Sequence, residues 1–107
     1  MGGREVGGMA NLLSAHRDLA NPQHRAEVAA LWGVADVPSQ PGKTAVEMFQ
    51  AAADGEIKAL WIACTNPAQC MPDQATVRRA LQRAEFVGGQ EAVATAAPCA
   101  YADLRLP

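Results

Sequence analysis

The sequence predicts a small α/β domain built on a parallel sheet. Two short apolar runs, "IKALWIA" at 57–63 and "EFVGGQ" at 85–90, have the length of buried strands and are bounded by turn residues. "ADLRLP" at 102–107 reads as a third strand. Segments with helical spacing and helix caps alternate with these runs. Strands joined through helices of this length run parallel, because the connection must cross back over the sheet.

The first eight residues, "MGGREVGG", are glycine-rich and predict a loop. "MANLLSAH" is apolar enough to pack but too short and irregular for a helix. In "NPQHRAEVAALWG", Asn21 is an N-cap candidate, Pro22 fits the first helical position and Gly33 stops the helix. Val28, Leu31 and Trp32 form its apolar stripe. "ADVPSQPGK" is a loop. Thr44-Ala45-Val46-Glu47 then fits a capping box, followed by Val46, Phe49, Gln50 and Ala53 at helical spacing and a stop at Asp54-Gly55. After the first strand comes the loop "CTNPAQCMP", and Asp73 can cap "QATVRRALQRA" with Val77, Ala80, Leu81 and Ala84 on the buried face. Arg78 and Arg79 read as a solvated helix face.

Half of the 107 residues are hydrophobic and 19% are charged, a globular balance rather than a disordered one. A chain of this length buries roughly two-thirds of its unfolded surface, enough for a modest core. The net charge of −2 provides no footprint for nucleic acid or an anionic membrane. No run approaches the ~18 apolar residues of a membrane helix, and the N-terminus lacks the apolar stretch of a secretory signal. Three cysteines, an odd number, are not a disulfide framework, so a reducing cytoplasm is the expected compartment.

The chemical motifs are sparse. Cys64 and Cys70 are separated by five residues and lack the spacing of zinc sites and thiol oxidoreductases. His16 and His24 match no helical metal pair, and Cys99 reads as a small packed hydrophobe. "GGREVGG" is not the G-x-G-x-x-G fingerprint and follows no strand. No catalytic triad, zinc-protease helix or P-loop is present. What remains is a polar loop at the carboxyl end of a parallel strand, where open α/β sheets bind ligands.

Several stretches in one order resemble the large catalytic subunit of the molybdopterin-dependent oxidoreductases, the assimilatory nitrate reductases in particular. They are "GGREVGGMANLLSAHRDLANPQHRAEVAALWGV", "PGKTAVEMFQAAADGEIKALWIACTNPAQCMPD", "VRRALQRAEFV", "QEAVAT" and "YADLRLP". The resemblance implies that residues 1–107 are one partial domain, an incomplete Rossmann-like three-layer αβα unit. It would belong to a domain that binds an arm of the molybdopterin guanine dinucleotide cofactor. By position, Thr65 and Asn66 would line the dinucleotide, while Gln90 and Glu91 would contact its guanosine portion. Cys70 stands at a cofactor-contacting position where relatives carry a hydroxyl. An acidic or amide side chain at a strand end suits that work, because it can hydrogen-bond a base edge or a ribose hydroxyl.

The sequence also departs from the family. Gly88-Gly89 replaces a β-branched pair, Arg105 enters an apolar strand, and Ala96-Ala97-Pro98 replaces a Thr-rich loop. The resemblance implies an internal fragment, inactive alone, without the segments that hold an iron–sulfur cluster, the molybdenum or the second dinucleotide domain. Its expected partner is the remainder of the catalytic subunit. Two other readings stay open. One is a non-catalytic α/β module that self-associates through an exposed sheet edge. The other is redox signalling through Cys64 and Cys70.

Overall fold

Asn21 starts the longest helix among the described residues, as the sequence predicts. In this computed structural model, which describes residues 2–92 and 100–106, the Asn21 side chain accepts hydrogen bonds from the backbone N–H groups of Gln23 and His24. Pro22 takes the first helical position, where its missing N–H removes no helical bond. Helix α2 runs Pro22–Trp32 and ends at Gly33, whose left-handed φ of 67° lets its N–H reach back to the Ala29 and Ala30 carbonyls.

Helix α2 belongs to the first of two compact units, Met1–Thr44 and Ala45–Pro107. The predicted N-terminal loop contains one helical turn, α1 (Gly2–Glu5). A short antiparallel pair, β1 (Leu12–Leu13) and β2 (Arg17–Asp18), follows around a turn at Ser14–His16. Gly7 must be glycine there. Its φ is +83°, and a Cβ would collide with the backbone nitrogen of His16. His24 serves the same scaffold, accepting the Asp18 N–H at Nδ1 over 3.0 Å. The core of this unit is Leu13, Leu19, Val28, Ala29 and Val37. The predicted α2 stripe is only partly buried. Val28 is packed away, but Leu31 and Trp32 are 73% and 54% exposed, and Ala29 takes the other buried place.

The second unit contains the predicted α/β arrangement. Its elements are α3 (Ala45–Asp54), β3 (Ala59–Ala63), the single turn α4 (Pro67–Cys70), α5 (Gln74–Arg83), β4 (Phe86–Gln90) and β5 (Leu104–Leu106). The three strands form one parallel sheet in the order β3-β4-β5. β3 pairs β4 from Ala59 opposite Phe86 to Ala63 opposite Gln90. Phe49, Ala52 and Ala53 of α3 pack with Val77, Ala80 and Leu81 of α5 against Leu60, Ile62 and Val87 of the sheet. Small alanines let the two helices approach closely, and Leu60 and Ile62 alternate inward with the period of two that a strand imposes. Val46, expected on the buried face of α3, is instead exposed, because burial shifts toward Ala51, Ala52 and Ala53.

Residues paired across parallel strands share a face, so Trp61 lies with Gly88 and Leu104 on the side away from these helices. That face is largely bare within the unit: Trp61 is 70% exposed, and Phe86 and Leu104 are exposed too. The described residues of the unit therefore form the sheet and one helical layer. Among the described residues no helix is long and apolar enough to cross a membrane. Cys99 and Ala96-Ala97-Pro98 lie outside the described residues.

Candidate functional site

The register of β3 on β4 brings the residues singled out in the sequence to one edge of the sheet. Ala63 and Gln90 are partners at the carboxyl ends of their strands, and the Cys64 N–H donates to the Gln90 carbonyl over 2.9 Å. Thr65 and Asn66 follow directly on β3, and Glu91 directly on β4. The Glu91 N–H is held by the Leu106 carbonyl at 3.1 Å, so this position is fixed by β5. Four of the five predicted residues thus sit on two adjacent strand ends. Cys70, the fifth, is not at a strand end but closes the α4 turn that Asn66 begins, and it is exposed.

The turn after β3 is sharp. Cys64 has a φ of +55°, a left-handed conformation that non-glycine residues adopt at a cost. This reversal exposes Cys64 and Thr65 and carries the chain into α4. Asn66 precedes Pro67, and its carbonyl accepts from the N–H groups of Gln69 and Cys70. Its side-chain Nδ2 donates to Gln69 Oε1 over 3.1 Å. Its Oδ1 is buried without a hydrogen-bond partner among the described residues. A buried acceptor left unpaired costs free energy, so a ligand donor reaching it would be bound favourably. An N–H or O–H from a nucleobase or a sugar fits that requirement.

Next to this edge lies a groove of about 400 Å³, lined by Ala45, Met48 and Phe49 of α3, Leu60–Ala63 of β3, and Thr65, Pro67, Cys70 and Met71. None of these residues is charged. The groove therefore provides contact surface and a hydroxyl, but no cation for a phosphate. Among the described residues no group of three or more His, Cys, Asp or Glu lies close enough to hold a metal ion. Cys64 and Cys70 are both free thiols.

The match to known proteins spans the chain. The family model for molybdopterin oxidoreductase matches residues 2–107. The chain belongs to the molybdopterin oxidoreductase family. It is similar to a nitrate reductase of Synechocystis sp., 42% identical over 109 residues, which covers 100% of this chain and 15% of that protein. It is also similar to the assimilatory nitrate reductase catalytic subunit of Bacillus subtilis, 36% identical over 107 residues, with 99% of this chain and 15% of that protein covered. A further relative, the periplasmic nitrate reductase of Desulfovibrio desulfuricans, is 38% identical over 109 residues, or 99% of this chain and 14% of that protein. This molybdopterin oxidoreductase chain thus spans about a seventh of these curated relatives, and a molybdopterin cofactor is the group its family implies.

Sequence reasoning about individual residues did not reach two features of this site. The left-handed Cys64 had no signal in composition, because glycine or asparagine normally marks such a position. The orphaned Asn66 Oδ1 depends on how the α4 turn packs, which spacing does not encode.

Proposed function

We propose that this chain is a cofactor-binding segment of a molybdenum-dependent oxidoreductase of the nitrate-reducing type, acting in the cytoplasm on nitrate to form nitrite. In this reading it is part of a Rossmann-like domain that receives the guanine dinucleotide form of the cofactor. Thr65 and Asn66 bind at the β3 end, and Gln90 and Glu91 meet the guanosine portion at the β4 end. Cys70 offers only a weak thiol contact. When bound, the cofactor supplies the redox chemistry through its molybdenum. The residues of this chain bind and orient it, and they contribute no proton transfer or nucleophile. The iron–sulfur cluster and the remaining half of the cofactor pocket belong to the rest of the catalytic subunit, so the isolated chain is inactive.

The observation that carries this reading is the Ala63–Gln90 register, with the unpaired Asn66 Oδ1 beside it. It supports a ligand across two parallel strand ends, where α/β folds bind nucleotides. The test is titration of the chain with GDP, followed by NMR chemical-shift perturbation. The expected result is weak binding, with shifts clustered at Thr65, Asn66, Gln90 and Glu91 and lost in Asn66→Ala. A well-folded sample without shifts at these positions would reject the site.

A further inference from the structure

Asn66 is not held in place by its own side chain. That side chain makes no capping bond to α4, and its hydrogen bond to Gln69 stays within the same turn. A single helical turn is unstable by itself, because nucleation fixes several residues for one bond. The turn is therefore held from outside. On the β3 side, Cys64 ties the chain to the Gln90 carbonyl, and Pro67 and Ala68 are buried.

Gln74, the first residue of α5, supplies the other tie. Its Nε2 donates to the Pro67 carbonyl at 3.2 Å and to the Met71 carbonyl at 2.7 Å. One amide thus spans α4, from its first residue to the residue after its last. The mount is firm, since Asp73 caps α5 and Val77, Ala80 and Leu81 fix it in the core.

These two bonds also settle which way the Gln74 amide points. Only its nitrogen can donate to carbonyls, so Oε1 turns away from them. That oxygen is buried without a partner, and the only other such side-chain atom among the described residues is Asn66 Oδ1. A buried unpaired acceptor costs stability, and an apolar side chain of similar length would avoid the cost. Both unpaired oxygens belong to residues that flank or hold the same turn, at the candidate site.

We propose that Gln74 is a positioning residue of the strand-end site. It pins α4 to α5 through Pro67, the residue bonded to Asn66, and so fixes where Asn66 meets the ligand. Gln74 itself touches no ligand. The inference rests on the binding reading given above. It concerns the β3 end alone, because the Leu106 carbonyl holds Glu91 at the β4 end independently.

The test is GDP titration of the 107-residue chain and its Gln74→Met variant, followed by NMR. Methionine suits a helix and fills similar space, but it removes both donors. The expected result is about three- to tenfold weaker binding, the range of coupling between residues that share a network. The shifts at Thr65 and Asn66 should also shrink relative to those at Gln90 and Glu91. That ratio is independent of occupancy and is read from folded-state resonances, so lower stability alone does not change it. Unchanged affinity and ratio in Gln74→Met, beside lost binding in Asn66→Ala, overturn the proposal and leave the binding reading intact. A wild-type chain without GDP shifts overturns the reading, and the positioning role with it.

Discussion

Asp103 satisfies both backbone polar groups of Val87. Its Oδ2 accepts the Val87 N–H at 2.8 Å, and its own N–H donates to the Val87 carbonyl at 2.8 Å. Val87 is 1% exposed and packs against Leu60 and Ile62, so water cannot replace these bonds. Asp103 thus extends the ladder between β4 and β5 by one position ahead of Leu104, the first residue of β5.

Asp103→Ala should therefore destabilise the second unit by about 1–3 kcal/mol, the usual cost of stranding a buried donor. Asp103→Asn keeps an acceptor oxygen and should recover much of that loss. Urea denaturation of both variants checks the order. Equal stabilities would mean that the Val87 N–H has another partner.

Asp73 predicts a pH dependence. Its carboxylate accepts from the Thr76 hydroxyl at 2.7 Å and from the Thr76 N–H at 3.1 Å. The hydroxyl bond first, and the backbone bond second, hold the carboxyl below its ordinary range. A folded pKa below the unfolded one adds stability above the unfolded value, and this is lost as pH falls through the folded value. The melting temperature of the wild type should exceed that of Asp73→Asn by a constant margin above about pH 5, and the margin should shrink below about pH 4. A margin independent of pH would remove Asp73 from the account.

Gly88 is a glycine without a steric reason. Its φ is not positive, and a Cβ would lie 3.5 Å from Phe86 Cε1 and 3.9 Å from both the Leu60 oxygen and Trp61 Cγ, which are ordinary contacts. Gly88→Ala should stabilise the chain by about 0.5–1 kcal/mol, because alanine has less freedom to lose on folding. Thermal unfolding decides it, and a lower melting temperature would mean that β4 needs the bare backbone.

Cys64 is the reverse case, a side chain where glycine would be at ease. Cys64→Gly should gain about 0.5–1 kcal/mol, the left-handed penalty less the extra entropy of an unfolded glycine. The Cys64 N–H bond to Gln90 should survive, as read by amide hydrogen exchange. If stability falls instead, the thiol makes a contact that outweighs the backbone strain.

The longer helices and the parallel strands were legible in the sequence. The caps at Asn21 and Asp73, the stop at Gly33 and the strands at 59–63 and 86–90 all depend on neighbours a few residues away. The buried face of α5 followed from spacing alone, and the family followed from stretches along the whole chain. The exposed Leu31 and Trp32, the exposed Val46 and the one-turn α1 did not follow, since an apolar residue is buried only where another element reaches it.

The sequence by itself determined the three longer helices, the three strands of the second unit with their parallel direction, and which residues follow the strand ends. Tertiary structure decided the rest. It placed Asn66 and Gln90 at one edge through the Ala63–Gln90 register, strained Cys64 into the turn, left the Asn66 oxygen without a partner among the described residues, and turned Trp61 to the face away from the helices. The physical reason is range. Caps and periodicity act within a turn of chain, whereas register and burial depend on contacts between segments tens of residues apart.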